Sequence, residues 1–591
     1  MQWQHKNIYV NKKGIVMRRT VWTAIALAAT ANWLAACGSN TTSTVSAQDA
    51  LTTATPIKHL VVIYGENESF DHYFGTYPNA DNPSGEPAFT AASGTPTVNG
   101  LTTTLLTDNP NSYNATNLTI SGITAAYLQP FRIDRAQANT ASQNHNYSPE
   151  QEAEDNGAMD EFAYYTGKAT TTGSGVFDTK GMVMGYFDGN TVTAMWNYAQ
   201  HFAMNDNAYT GTFGPSTPGA LEVISGQTNG VTLTTGTSTN STTISGGTSL
   251  STQAIADGAD GFSLIGDLDP TNDACTISND SSTTVTAAMS SSNKNIGDLL
   301  NSAGITWGGF MGGFNLSTTN ANGTTGCTRS TYSSVLNSTV VDYVPHHAWF
   351  QYYTTTSNPA HTRPTSTADI GYTEPKDSTS TPVHHQYDVN DFYTAVKAGN
   401  FPSVSFLKAP AVQDAHPGNS DPLDEQSFVT NVVNFLEEQP DWKNTAVIIA
   451  YDDSDGWYDH QYITPTSASY STNDYLNGTS TCGTGTAPLG VTGSPVNGRC
   501  GPGTRTPFIV ISPWARSNYV DSTAITQASI TRFIEDNWLG GTRIGSGSFD
   551  ASAGSILGMF NFSGSGNNSV LYLDSSLGTK LSSAPAISVT N

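Results

Sequence analysis

The stretch from Ala446 to His460, AVIIAYDDSDGWYDH, packs four carboxylates and a histidine into nine positions at the end of an apolar run. Its apolar run, Val447-Ile448-Ile449-Ala450-Tyr451, gives way to four carboxylates, Asp452, Asp453, Asp455 and Asp459, and then to His460. A short apolar run between Asn444 and a polar turn predicts an interior strand. Asp452 and Asp453, side by side at its carboxyl end, repel each other unless a cation lies between them. A divalent metal supplies that charge. A solvated acidic turn is the plainer alternative, and it predicts no matching donors elsewhere.

Matching donors exist. The apolar run Ile57 to Tyr64 also ends in a polar cluster that begins Gly65-Glu66-Asn67. Glu66, Asn67, Asp452 and Asp453 supply hard oxygen ligands suited to Mg²⁺, Mn²⁺, Ca²⁺ or Zn²⁺, among which the sequence does not choose. Ser216 lies in Gly214-Pro215-Ser216-Thr217-Pro218, just before the helix-compatible run Gly219 to Ile224. Thr217 is predicted as the N-cap, with Pro218 in the first turn. A hydroxyl there gains from the helix dipole and free N–H groups, which favour an alkoxide or a bound phosphate. Ser216 is thus a candidate nucleophile, one that a metal would activate. His145, His347 and His416 are candidates to hold phosphoryl oxygens and to protonate a leaving group. The competing readings are a capping serine and histidines satisfied in the core or exposed.

These residues are far apart in sequence, so the fold must gather them. Buried strands are predicted at 57–64, 305–308, 403–407, 447–451 and 507–511. Helices are predicted at 150–162, 193–200, 219–224, 295–300, 388–398 and 530–539. Strands alternating with helices imply an α/β protein with a mostly parallel sheet. The polar clusters after Tyr64, Leu407 and Tyr451 then follow the carboxyl ends of strands, the edge where open α/β sheets bind ligands.

Composition bounds the class. The 591 residues carry a formal charge of −25 with only 12% charged residues, which argues against a nucleic-acid binder. Lys12, Lys13, Arg18 and Arg19 precede the apolar run Val21 to Ala36, and Leu34-Ala35-Ala36-Cys37-Gly38 has the form of a lipoprotein signal. Residues 1–36 are therefore expected to be a signal peptide, Cys37 the acylated residue and 37–55 a tether. The main domain is expected over 56–575, with a low-complexity insertion at 228–260 and a tail at 576–591. Such a protein would be exported to the cell envelope and touch the membrane through its lipid. Four cysteines remain, Cys275, Cys327, Cys482 and Cys500, and an even number in an exported chain suggests two disulfides. Of the three connectivities, the sequence-local one pairs Cys275 with Cys327 and Cys482 with Cys500.

Taken together, three segments resemble a known family. They are Glu66-Asn67-x-Ser69-Phe70-Asp71-x-Tyr73-Phe74-Gly75, Gly214-Pro215-Ser216-x-Pro218 and Tyr451-Asp452-Asp453-x-Asp455-Gly456-Trp457-Tyr458-Asp459-His460. Asp342-Tyr343-x-Pro345-His346-His347, His385-Gln386-Tyr387-Asp388, Asp414-x-His416-Pro417-Gly418 and Ser420 to Gln426 extend the likeness to the bacterial phosphoesterases that comprise acid phosphatases and phospholipases C. The resemblance implies an alkaline-phosphatase-like sheet flanked by helices, with long loop insertions. It implies Glu66, Asn67, Asp452, Asp453 and the Ser216 hydroxyl as metal ligands. It also implies Ser216 as the phosphorylated nucleophile, with Thr217 as the fallback, and phosphate-binding or proton-transfer roles for His145, His347 and His416. The phospholipases resemble Asp-Glu where this chain has Asp452-Asp453, and they usually continue into C-terminal β domains, which favours the acid phosphatase branch. Phospholipase C remains the alternative, and a non-catalytic surface binding protein is the rival from outside the enzymes.

Overall fold

The computed structural model describes residues 48–587, apart from 171–172, 238, 246–248, 251, 259–260, 279–283, 374–381 and 568–569. The expected signal peptide and Cys37 lie outside the described residues.

A central sheet of eight strands organises the chain. In chain order these are β1 (His59–Gly65), β2 (Ala203–Asn205), β3 (Trp307–Met311), β4 (Gln386–Asp388), β5 (Val404–Lys408), β6 (Thr445–Tyr451), β7 (Phe508–Ile511) and β8 (Tyr519–Asp521). Their spatial order is β4-β3-β5-β1-β6-β7-β2-β8. Only β7 runs antiparallel to its neighbours, so this is a mixed α/β protein with a mostly parallel sheet.

β1 and β6 are buried along their whole length, which is why they read as unbroken apolar runs. Alternate side chains enter different cores. Leu60, Val62, Tyr64, Ala446, Ile448 and Ala450 face one side of the sheet, whereas Val61, Ile63, Val447, Ile449 and Tyr451 face the other. The first core is closed by α4 (Ser216–Ser225), α5 (Ile296–Ala303) and α8 (Ala528–Trp538). The second is closed by α3 (Thr193–His201), α6 (Val389–Lys397) and α7 (Pro422–Glu437).

Two short helices complete the frame of the site, α1 (Phe70–Phe74) and α2 (Tyr147–Glu154). The helix expected over 150–162 instead stops at Glu154, where Asp155 and Asn156 adopt left-handed backbone at φ 38° and 52°. The segment read as a low-complexity insertion contributes strands Asn229–Thr237, Asn240–Thr243 and Ala254–Ala256 to a second, five-stranded antiparallel sheet. Val231, Leu233 and Ala254 extend the first core from it. Cys275 is joined to Cys327 and Cys482 to Cys500.

Candidate active site

Three adjacent parallel strands, β5, β1 and β6, end side by side, so the residues that terminate or follow them share one edge. Lys408 is the last residue of β5, Glu66 and Asn67 follow β1, and Asp452 and Asp453 follow β6. From the face of the sheet, α4 delivers Ser216 as its first helical residue. All six side chains are buried. Ser216 Oγ lies 3.0 Å from Glu66 Oε2 and 3.2 Å from Asp453 Oδ2, positioned to donate to either. Thr217 is not the N-cap expected from the sequence; Pro215 holds that position. The Thr217 N–H donates to Asp267 Oδ1 at 2.9 Å, and its hydroxyl donates to the His346 carbonyl at 3.3 Å. Ser216, rather than Thr217, therefore faces the carboxylates.

The backbone is forced into place around this group. Asn67, Asp455 and Ala415 adopt positive φ values of 62°, 53° and 83°. Asn and Asp tolerate the left-handed region, but Ala has no polar side chain to offset a cost of about 1–2 kcal/mol. Ala415 is held there by its N–H on Ser420 Oγ at 3.2 Å, next to His416, whose N–H donates to Asp414 Oδ1 at 3.0 Å. Gly219, in the first turn of α4, lets the helix pass against the end of β6. A Cβ on it would stand 2.1 Å from the Asp452 carbonyl oxygen.

The electrostatics call for more positive charge than the side chains provide. Lys408 Nζ contacts Glu66 Oε1 and lies 3.4 Å from Asp452 Oδ2. Burial, followed by the charge of Asp452, pushes the Glu66 carboxyl well up. Burial likewise raises Asp453, and it raises Asp414 to about 8. The Asn67 side-chain oxygen sits 2.6 Å from Glu66 Oε2 and 3.3 Å from Asp452 Oδ1, acceptor against acceptor. Such a cluster is repulsive unless the amide turns over or a cation is shared. With Ser216 Oγ and Asp453 Oδ2, these atoms form a chain of five neighbouring hard oxygen donors, the donor chemistry that suits a divalent cation.

Histidines surround the acidic floor. His347 Nδ1 is 3.1 Å from Glu66 Oε1, and burial, followed by His346 and Lys408, lowers its pKa well below the usual value. His416 Nδ1 is turned to the Pro417 carbonyl at 2.8 Å, which leaves Nε2 as the exchangeable nitrogen; burial lowers this ring too. His145 Nδ1 pairs with Asp455 Oδ1 at 3.0 Å, and its ring meets that of His416 edge-on with centroids 6.0 Å apart. Burial opposes charge on His145, but Asp453 and Asp455 outweigh it and raise the pKa. The structure thus brings together Glu66, Asn67, Ser216, Asp452, Asp453, His145, His347 and His416. Asp459 and His460, from the same acidic stretch, belong elsewhere. With Asp71 they surround the buried Arg505, at 3.0 Å for Arg505–Asp71, 3.0 Å for Arg505–Asp459 and 2.6 Å for His460–Asp71. Lys408, Asp414, Asp455 and Gly219 also stand at this locus, and none is among the ligands or catalytic residues expected from the sequence, although Asp414 and Asp455 lie inside its motifs.

The sequence profile of the phosphoesterase family matches residues 57–539. The chain belongs to that family. Among curated relatives, this phosphoesterase is similar to the non-hemolytic phospholipase C of Pseudomonas aeruginosa, 32% identical over 146 residues, which cover 24% of this chain and 21% of that enzyme. The non-hemolytic phospholipase C of Burkholderia pseudomallei is 35% identical over 141 residues, 24% of this chain and 19% of the relative. Phospholipase C A of Mycobacterium tuberculosis is 32% identical over 148 residues, 24% and 26% of the two chains. The matched stretch thus spans about a fifth to a quarter of each relative's length. Family and relatives agree on a phosphoric ester hydrolase.

Proposed function

We propose that this phosphoesterase hydrolyses phosphoric monoesters, in the manner of an acid phosphatase, through a phosphoserine at Ser216. The observation that carries the reading is the Ser216 hydroxyl, on the first residue of a helix and within 3.2 Å of two carboxylates. Glu66 or Asp453 takes the hydroxyl proton as Ser216 Oγ bonds to phosphorus and the bond to the leaving oxygen breaks. His416 or His347 gives that oxygen its proton, so the alcohol departs neutral. Burial holds both rings below the usual imidazole pKa, so they carry the needed proton only toward acid pH. Water then attacks the phosphoserine from the side the alcohol left, loses its proton to the same histidine, and phosphate is released as Ser216 regains its own. A divalent cation held by Glu66, Asn67, Ser216, Asp452 and Asp453 would lower the serine pKa and offset charge on the phosphoryl oxygens.

An alkaline-phosphatase-like fold belongs with this reading, supported by the mostly parallel sheet and the donors along its carboxyl edge. So does export with a lipid on Cys37, for which the two disulfides are supporting evidence. No helix among the described residues is long and apolar enough to cross a membrane. The second reading is phospholipase C activity, favoured by the relatives named above; the Asp452-Asp453 pair favours the monoesterase. Hydrolysis of a chromogenic phosphomonoester beside phosphatidylcholine, for the unmutated protein and Ser216→Ala, separates them. Monoester turnover lost in the variant is the expected result. Turnover of the lipid alone would replace the monoesterase reading with the second, and full activity in Ser216→Ala would refute the nucleophile.

A further inference from the structure

Glu66 and Asp452 each face two ways. Toward the nucleophile, Glu66 Oε2 meets Ser216 Oγ at 3.0 Å, and Asp452 Oδ1 lies 3.3 Å from the Asn67 oxygen. Away from it, Glu66 Oε1 contacts Lys408 Nζ, and Asp452 Oδ2 lies 3.4 Å from the same nitrogen. This second side holds two more donors. His347 Nδ1 is 3.1 Å from Glu66 Oε1, and Asp414 Oδ2 is 3.9 Å from His347 Nδ1. Asp414 Oδ2 is buried and has no hydrogen-bond partner among the described residues. One donor atom each from Glu66, His347 and Asp414 lies within 4.8 Å of the others. Two carboxylates and an imidazole are donors of the kind a divalent cation takes, and Asp452 Oδ2 borders them across Lys408. Two carboxylates shared with a neighbouring cation locus are what a two-metal phosphoesterase would use. Beside these donors, between Glu66 Oε1 and Asp452 Oδ2, stands an ammonium, Lys408 Nζ.

We propose that Lys408 is a built-in substitute for a second cation, filling a latent metal site made by Glu66, Asp452, Asp414 and His347 and so limiting the centre to one divalent ion. The inference rests on the reading of Glu66, Asn67, Ser216, Asp452 and Asp453 as ligands of that one ion. β5 is the parallel neighbour of β1, so the last side chain of β5 emerges beside Glu66. Lys408 is 2% exposed, and Nζ is further fixed at 3.4 Å from the Gly65 carbonyl and 5.5 Å from the centre of the Tyr64 ring. An ammonium is a compact charge with three donors and suits this crowded position better than a planar guanidinium. Its single charge offsets part of the carboxylate repulsion and requires no metal supply. A divalent ion and a protonated lysine cannot share the same few ångströms, so Lys408 and a second ion exclude each other.

The test is manganese loading of the full chain, metal-stripped and then titrated with Mn²⁺, read by metal analysis and electron paramagnetic resonance. The unmutated protein and Lys408→Arg should each bind one Mn²⁺ and give the spectrum of an isolated ion. Lys408→Gln should bind two and show the broadened signal of a coupled pair, which loss of packing alone cannot produce. One ion in both the unmutated protein and Lys408→Gln would overturn the role of Lys408 and leave the ligand reading intact. Two ions in the unmutated protein would also overturn it. No ion in the unmutated protein would instead refute the ligand reading on which it rests. If Lys408→Gln folds only with Mn²⁺ present and then carries two ions, the metal has replaced the ammonium, as proposed. Failure to fold even with millimolar Mn²⁺ would count against it, because a cation able to take the place of Lys408 must also restore the charge balance.

Discussion

Substituting Gly219 by alanine sets two effects of known sign against each other. In a helix interior the change ordinarily stabilises by about 0.8–1 kcal/mol. Here the added Cβ would lie 2.1 Å from the Asp452 carbonyl oxygen, 2.7 Å from its carbon and 2.9 Å from the Asp452 Cα. All three are backbone atoms, so no side chain can turn aside. A carbon and a carbonyl oxygen ordinarily meet at about 3.3 Å, so the first turn of α4 and the end of β6 must separate by about 1 Å. Overpacking of that kind costs about 1–3 kcal/mol, more than the helix gains. The catalytic consequence should be larger than the thermodynamic one. Ser216 lies three residues before Gly219 on the same turn, and Asp453 follows the carbonyl that is displaced. A misplacement of about 1 Å between a nucleophile and its partners lowers turnover about 100-fold. Chromogenic monoester hydrolysis and thermal unfolding on the same preparation measure both effects. Turnover within threefold of the unmutated protein, with an unchanged melting temperature, would refute the claim that this contact sets the site's geometry.

Three further expectations follow from the same structure. Ser216→Ala should lower monoester turnover by at least about 1,000-fold, the scale on which a lost nucleophile acts, whereas Thr217→Ala, whose hydroxyl points to the His346 carbonyl, should stay within about tenfold; steady-state kinetics on both variants test the assignment, and the reverse order would exchange the two roles. Replacing Cys275 and Cys327 together by serine opens a link across 52 residues and should cost about 4 kcal/mol by loop entropy, read from the shift of the denaturation midpoint. Glu437 is pushed up to about 8 by burial, so it holds its proton more tightly folded than unfolded, and its contribution is complete below about pH 4.5 and lost as the pH rises through 8. Glu437→Gln can still accept the Leu571 N–H and should flatten the decline in melting temperature between pH 5 and 8; an unchanged slope would remove Glu437 as its source.

Much of the site was legible because a parallel sheet turns distant strand ends into neighbours. Apolar runs located β1, β5 and β6, and the polar residues after them had to share an edge. What escaped was set by partners that no local pattern reveals. Lys408 follows the apolar run 403–407 with nothing local to mark it, yet it is buried beside Glu66 and Asp452, which arrive from the two strands beyond it. α7 carried a clear start, Asp421 as N-cap accepting the Leu423 and Asp424 N–H groups, with Pro422 at the first helical position. The motif Ser420 to Gln426 covers only its start, although Val429, Val432, Val433 and Leu436 repeat at helical spacing. The N-cap of α4 was misplaced for a definite reason: every position in a first turn tolerates proline, so Pro218 alone does not fix where the helix begins. The Thr-rich segment at 228–260 was judged by composition, whereas Val231 and Leu233 alternating with β-branched threonines form a half-buried strand.

The division between what was visible and what was not has an electrostatic origin. Carboxylates gathered in a dry site raise one another's pKa, so the chain must supply counter-charge as it folds or leave them protonated. The segment 452–455 carries negative charge into the centre without any cationic side chain of its own. The compensation must come from other elements: Lys408 from β5 and the histidines from three separate loops. The acidic half of the centre is therefore written in contiguous motifs, and the cationic half is scattered through the chain. A reading of motifs alone finds the acidic donors and misses Lys408, the side chain proposed to limit how many metals they can hold.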